Sequence, residues 1–224
     1  EIAGDLEKIR VSKEKIIVLS SGIYLKEFDE VDKNNISNLR EQYSKPILVS
    51  VGVLRINKGF AYLIEAFRQI KKKIDSATLI IIGEGAERKN LEKQANGISG
   101  IYFLGRQKHD KVIEYLYVSD IFVLASISTE SDREGMPTSI MEAMAADLPV
   151  IATKVGGIPD FIKDGINGFI VNQGNSSEIS QAVLKILGDS ELSSKMRSRN
   201  LEDIKQKNWP IIAEKINEIY KSIL

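Results

Sequence analysis

The stretch that decides the fold is "PILVSVGVLRINKGFAYLIEAFRQIKKKI", residues 46–74. Its first part, 46–52, is a near-continuous apolar run, which predicts a strand buried on both faces of a sheet. Its last part, 59–74, repeats apolar side chains every three or four residues and gathers lysines at its C-terminal end, which predicts an amphipathic helix. A strand, a short loop and a helix in this order form the basic unit of an α/β fold.

The same alternation continues along the chain. Six further apolar runs are predicted strands: "KIIVL" (15–19), "ATLIIIG" (77–83), "IYFLG" (101–105), "DIFVLAS" (120–126), "PVIAT" (149–153) and "GFIV" (168–171). After residue 174 the strand pattern stops, and three successive helices are predicted at 176–187, 190–204 and 208–224. The fold class is therefore α/β, a doubly wound, Rossmann-like parallel sheet flanked by helices.

We predict one domain over residues 1–224, in three parts. Residues 1–14 form a linker or helix from a preceding domain, 15–174 form the α/β core, and 175–224 form the C-terminal helices. In such a sheet the ligand crevice lies at the carboxyl ends of the strands, so the loops that follow strands are where chemistry is expected.

Composition narrows the class of partner. Lys plus Arg equals Asp plus Glu at 31 each, so no overall field attracts nucleic acid or an anionic membrane. The chain has no cysteine and one histidine, which excludes disulfides, thiolate metal sites and a histidine cluster for zinc. The longest apolar runs are far shorter than the ~20 residues that span a bilayer. A small-molecule partner and a cytoplasmic location are therefore expected.

Two loops after predicted strands carry glycines or cations. The loop at 51–59 places Arg55 and Lys58 beside a helix start, which suits a phosphate, although solvated surface charges are an equal alternative. The loop "IIIGEGAER" (80–88) resembles a dinucleotide fingerprint, but Arg88 occupies the third glycine position, so an NAD site is not expected. Gly83 then marks a tight turn, either near a ligand or of purely structural importance.

A third loop, "DREGMPTSIMEAMA" (132–145), contains two glutamates, Glu134 and Glu142. Pro137 suits the first turn of a helix, and the Ser139–Glu142 spacing fits a capping box, so a structural role for Glu142 is one alternative. The other is a ligand site at the positive end of the helix. Carboxylates there would repel a phosphate but accept hydrogen bonds from hydroxyls, while backbone amides hold the anion. A ligand with both hydroxyls and a diphosphate is a nucleotide sugar.

Together these segments resemble the nucleotide-binding half of glycosyltransferase family 4, retaining enzymes of the GT-B fold. The resemblance covers most of the chain, and its segments lie at 15–28, 51–59, 79–85, 101–106, 118–126, 132–162 and 164–171. The family's two glutamates, separated by seven residues, fall on Glu134 and Glu142. The resemblance implies one half of a GT-B fold that binds a UDP- or GDP-sugar as donor substrate, with no other cofactor.

The resemblance also implies residue roles. Glu134 would contact the donor sugar, Glu142 would bind the ribose hydroxyls, and Lys58 would clamp the diphosphate. Other donor-binding positions are Gly135, Met136, Thr138 and Ser139 around the diphosphate, Gly83, and Leu104, Gly105 and Arg106 beside the base. No metal is implied, and no two aspartates in the chain are two residues apart. Val53 stands where the family often has arginine, so Arg55 is the candidate to supply that guanidinium.

The resemblance implies an enzyme that lacks its N-terminal, acceptor-binding domain in this chain, which alone would bind donor but transfer sugar poorly. That domain is the expected partner, and through it the enzyme would lie at the inner face of the membrane and serve polysaccharide or glycoconjugate synthesis. Two other functions stay open: a non-catalytic nucleotide-sugar binding or assembly module, and another GT-B enzyme such as a sugar-nucleotide epimerase. His109 is expected to be a solvated residue rather than a base.

Overall fold

A six-stranded parallel sheet forms the centre of the computed structural model, which describes residues 8–129 and 137–223. The strands are β1 (Ile47–Val51), β2 (Thr78–Ile82), β3 (Ile101–Gly105), β4 (Ile121–Leu124), β5 (Val150–Thr153) and β6 (Gly168–Val171). Their order across the sheet is β3-β2-β1-β4-β5-β6, and every neighbouring pair is parallel. The predicted doubly wound fold is confirmed, and the winding reverses between β1 and β4.

Ten α-helices surround the sheet within the described ranges. They are α1 (Lys26–Asp29), α2 (Lys33–Arg40), α3 (Phe60–Lys71), α4 (Arg88–Ala95), α5 (His109–Val118), α6 (Thr138–Ala145), α7 (Ile158–Phe161), α8 (Ser176–Gly188), α9 (Ser190–Lys205) and α10 (Trp209–Ile223). Short 3₁₀ turns occur at Lys13–Lys15 and Ile56–Lys58. The helix predicted at 59–74 and the three predicted after residue 174 are all present. No helix of the described segments is long and apolar enough to cross a membrane.

The continuous apolarity of the strands has a direct structural cause. Alternate residues of a strand point to opposite faces, and both faces of this sheet are covered. On β1, Val49 packs into the core on one face with Phe122 and Met144, whereas Leu48 packs into the core on the other face with Phe67. Both sets of side chains must therefore be apolar, and the run shows no polar alternation.

The predicted strand at 15–19 is wrong. A 3₁₀ turn ends at Lys15, no strand follows it, and Ile17, Val18 and Leu19 are exposed. The apolar pattern recorded β propensity but not a partner, and the six-stranded sheet ends at β3 on one edge and at β6 on the other without this segment. The chain pairs only slightly later, where Ile23 forms an isolated bridge with Asn208 at the start of α10.

The last helix folds back onto that early segment. The Ile23 amide donates to the Lys207 carbonyl over 2.9 Å, and the Trp209 amide donates to the Ile23 carbonyl over 3.0 Å. Gly22 leaves room for the Trp209 ring, since a Cβ at this position would lie 2.7 Å from an indole carbon. The two ends of the described chain are thus tied together beside the sheet.

Candidate functional site

A cleft of about 750 Å³ opens at the carboxyl ends of the strands, beside the place where the winding reverses. Three separate segments line it: the end of β1 with the loop after it, the loop between β3 and α5, and the first turns of α6. This is where a doubly wound sheet is expected to bind a ligand, because adjacent crossovers there run to opposite faces and leave a gap.

The loop after β1 brings Lys58 into the cleft. Gly59 adopts a left-handed backbone conformation (φ 64°), and a Cβ there would lie 1.8 Å from the Ala125 carbonyl oxygen. The Ile127 amide also donates to the Asn57 carbonyl over 2.7 Å. The loop is therefore held against the chain that follows β4, and this contact sets the position of the neighbouring lysine. Val53, which stands in the place of the family arginine, also lines the cleft.

Arg55 does not join Lys58. Its side chain is exposed, and it is not one of the residues that form the cleft lining. Of the two cations of the loop, only Lys58 lines the cleft. The structure therefore offers no support for Arg55 as the residue that supplies the guanidinium missing at Val53.

Helix α6 supplies Thr138, Ser139 and Glu142 to the lining. The first N–H groups of a helix have no partner within it, so this end of α6 is favourable for an anion. The capping-box interpretation is wrong. A capping box needs its serine at the N-cap, but Pro137 occupies that position, Ser139 is already helical, and no side chain caps the helix. Glu142 is therefore left available to the cleft.

Glu142 is a largely buried carboxylate, with 16% of its side chain exposed. Burial raises its pKa, because the charged form loses water; the nearby His109 acts in the opposite direction, and Glu27 adds to the increase. A buried carboxylate with a raised pKa in a cleft is a candidate for ligand binding, since such groups concentrate at functional sites.

His109 is not simply a solvated residue, as the sequence had suggested. Its Nε2 lies 2.9 Å from Glu27 Oε2, and its Nδ1 lies 3.9 Å from Glu142 Oε1. The ring lines the cleft at the start of α5, with 49% of the side chain exposed. Glu27 comes from α1, which is distant in the sequence, so no local pattern could have revealed this contact.

The loop between β3 and α5 adds further positive charge. Arg106, whose predicted place is beside the base, lines the cleft, and so does Lys108, which no sequence pattern had indicated. Leu104 and Gly105 complete β3 and do not form part of the lining. With Lys58, the cleft has three permanent cations and the single carboxylate of Glu142 among its described residues. This balance suits a ligand that is strongly anionic and also carries hydroxyls.

Gly83 lies outside the cleft lining. Its φ is 146°, and a Cβ would lie 1.8 Å from the Gly52 carbonyl oxygen, so it allows the ends of β1 and β2 to approach closely. Arg88 begins α4, donates to the Phe103 carbonyl over 3.1 Å and pairs with Glu84 at 2.8 Å. The glycine segment thus lets β1 and β2 approach closely and braces β3, without lining the cleft.

Three predicted residues, Glu134, Gly135 and Met136, lie outside the described residues. Their roles stay predictions. Within the two described ranges, no group of three or more histidine, aspartate or glutamate side chains is arranged to hold a metal ion.

Known proteins resemble this chain in sequence and in structure. It is 30% identical over 198 residues to the N-acetyl-alpha-D-glucosaminyl L-malate synthase of Bacillus anthracis, a match that covers 85% of this chain and 49% of that protein. The crystal structure of Anabaena Alr3699/HepE in complex with UDP has the same fold, with a TM-score of 0.87 at 23% identity over 98% of this chain and 61% of that one.

A third relative is a single domain, and nearly all of that domain matches this chain. The C-terminal domain of a group 1 glycosyl transferase, LpcC from Francisella tularensis, has a TM-score of 0.71 at 29% identity, over 83% of this chain and 98% of that domain. This chain therefore spans one such domain but only about half to three fifths of the longer relatives.

The family model for glycosyl transferases group 1 matches residues 31–203, which is most of the chain and includes every strand and the cleft. Both the fold and the sequence lead to the same conclusion. The chain belongs to the family of group 1 glycosyl transferases.

Proposed function

We propose that this chain is the C-terminal, nucleotide-sugar-binding domain of a retaining glycosyltransferase of family 4. It binds the donor, a UDP- or GDP-sugar, and the complete enzyme transfers the sugar to an acceptor hydroxyl in polysaccharide or glycoconjugate synthesis. The near end-to-end match to the C-terminal domain of LpcC supports the domain assignment. The UDP in the Alr3699/HepE structure supports the donor class.

The observation that carries the proposal is the arrangement of charge in the cleft. Glu142 faces it from α6, with Lys58 across from the β1 loop and Arg106 from the β3 loop. A diphosphate is attracted by the two cations and by the N-terminus of α6, and a ribose diol offers two O–H donors to the carboxylate. One nucleotide satisfies all of these groups at once.

In the complete enzyme the same cations would stabilise the departing nucleoside diphosphate. Glu134 would contact the donor sugar at the reacting end, and the acceptor site would lie on the N-terminal domain. We therefore expect the 224-residue chain to bind donor but to transfer sugar poorly by itself.

Calorimetric titration with UDP, GDP and their sugar conjugates tests the proposal. One nucleotide series is expected to bind at one site per chain, and Glu142→Ala is expected to weaken that binding by about 1 to 3 kcal/mol, the size of a lost charged hydrogen bond. Absence of binding by every nucleotide in a folded sample would reject the donor-site assignment.

A further inference from the structure

The single histidine of the chain lies between two carboxylates from different parts of the fold. Glu27 belongs to α1, His109 begins α5, and Glu142 lies on α6. An ionised carboxylate only accepts hydrogen bonds, so the 2.9 Å contact with Glu27 requires the proton to be on Nε2 of His109. Glu27 thus selects the tautomer of the ring.

That choice decides what faces Glu142. In the neutral ring, Nδ1 presents a lone pair to Glu142 Oε1 at 3.9 Å, an acceptor facing an acceptor. In the protonated ring, Nδ1 carries an N–H, and the same separation becomes an attractive ion pair. Protonation of His109 therefore favours both the ionised form of Glu142 and its orientation toward the ring.

Other charges near the ring do not replace this interaction. Arg106 and Lys108 line the same cleft on the loop before α5, and Lys58 lies on the β1 loop. On α5 itself, Asp110 is exposed, and Lys111 pairs with Glu114 at 2.7 Å. Among these groups, Glu27 and Glu142 are the two whose carboxylates lie within ion-pair distance of the His109 ring nitrogens.

We propose that His109 is a positioning residue of the nucleotide site: held by Glu27, its ring orients the Glu142 carboxylate and links α1 to the ligand-binding helix α6. The inference rests on the nucleotide-binding function proposed above. Glu27 is not part of the cleft lining, so it does not line the nucleotide site itself; it contacts His109 and acts on the charge of Glu142 from behind the cleft.

The proposal makes nucleotide affinity depend on pH in a specific way. Imidazole side chains change charge between about pH 5 and 8, but Glu142, whose pKa is raised, and the terminal phosphate of the nucleotide also gain protons as pH falls. The effect of His109 is therefore the difference in affinity between the wild type and a variant without the imidazole, and this difference should shrink as pH rises. The loss of one charge on His109, partly screened by solvent, should change the Kd of the nucleotide by about threefold to tenfold. Substitution of Glu27 should reduce this change even though the cleft itself is intact.

The test measures the Kd of UDP and GDP by calorimetry between about pH 5.5 and 8.5 for the full chain, H109Q and E27Q. H109Q keeps a polar side chain that cannot become charged, so it should bind like the wild type at high pH and more weakly than the wild type at low pH. E27Q should lie between the two. E30Q is the matched control, because Glu30 follows the same helix, pairs with Lys26 at 3.3 Å and lies outside the cleft lining.

The outcomes separate the two proposals. Nucleotide binding with identical pH profiles in the wild type and H109Q would overturn the positioning role and leave the donor site standing. No nucleotide binding in any folded variant would overturn both. Nitrogen NMR of the one histidine gives an independent readout, since the neutral ring should carry its proton on Nε2 in the wild type and redistribute it in E27Q. A proton on Nδ1 in the wild type would also reject the proposal.

Discussion

Glu142 faces two opposing physical demands. A ligand diol is bound best by the ionised carboxylate, whereas burial favours the neutral form and raises the pKa of Glu142 above its ordinary value of 4.5. In the folded chain the proton is therefore held more tightly than in the unfolded chain. The cost of burying the charge is fully present above the raised pKa and disappears as pH falls below the unfolded value.

We expect Glu142→Gln to weaken nucleotide binding and, in the absence of ligand, to raise the unfolding temperature. The gain in unfolding temperature should be largest at neutral pH and vanish below about pH 4, where Glu142 is protonated in both the folded and the unfolded wild type. Thermal unfolding across this range measures the change. Glu191→Gln is the control, because Glu191 is exposed, lies outside the cleft lining and pairs with exposed Lys195, so it should leave binding unchanged and alter stability by no more than about 1 kcal/mol. A stability gain independent of pH would contradict this account of Glu142.

Lys58 tests the anionic part of the ligand. We expect Lys58→Ala to weaken diphosphate binding by about tenfold at low salt, and the loss should shrink as the screening length falls to about 10 Å at 0.1 M salt. Calorimetry with UDP or GDP at several salt concentrations provides the measurement. Lys195→Ala, at an exposed position of α9 outside the cleft lining, is the control and should bind like the wild type. An equal loss at every salt concentration would argue against a charge interaction.

At the scale of the elements, the contact between the β1 loop and the end of β4 holds the cleft in shape. Gly59 and Gly97 both have positive φ, at 64° and 79°, but only at Gly59 would a Cβ meet backbone, whereas at Gly97 nothing lies within 4 Å. Alanine at Gly97 therefore measures the cost of the left-handed backbone conformation alone. Alanine at Gly59 adds the cost of the steric clash with Ala125.

We expect Gly97→Ala to lower the free energy of unfolding by about 1 to 2 kcal/mol, the usual cost of a left-handed conformation for alanine. Gly59→Ala should cost more than about 4 kcal/mol, because the loop must also move away from Ala125. Urea denaturation of both variants gives the comparison. Similar losses in the two variants would mean that the loop relaxes freely.

At the scale of the whole molecule, the C-terminal helices form one unit with the sheet. Asn200 on α9 is fully buried, and its Nδ2 donates to the carbonyls of Leu148 and Asn167 over 2.8 Å each. These carbonyls lie just before β5 and β6. One side chain thus connects a helix to the approaches of two strands.

We expect Asn200→Ala to destabilise the chain by about 2 to 4 kcal/mol, since two buried carbonyls lose their donor. The unfolding midpoint should fall equally when followed by far-ultraviolet circular dichroism and by the fluorescence of Trp209, the only tryptophan. Asn90→Ala, on the exposed surface of α4, is the control and should change stability by less than about 0.5 kcal/mol. Separate transitions for the two probes would show that the helices unfold independently.

The sequence by itself determined the six strands, the main helices and the class of the fold. These features are recorded locally, because a strand covered on both faces must be apolar throughout and a helix on its surface must be apolar every three or four residues. It also indicated Lys58, Thr138 and Glu142, which follow strands or begin a helix at the expected edge of the sheet, and the family resemblance added Arg106 and Ser139; all five line the cleft.

Only the tertiary structure decided which segments meet. Apolarity indicates that a residue can be buried but not what covers it, so 17–19 look like a strand and yet pair with no strand of the described chain and are exposed. The strand order brings the loops after β1 and β3 together with the start of α6. Arg55 and Gly83, which the sequence suggested, do not line the resulting cleft, whereas Lys108 does. The contact of His109 with Glu27 joins residues 82 positions apart, a distance over which no local pattern carries information.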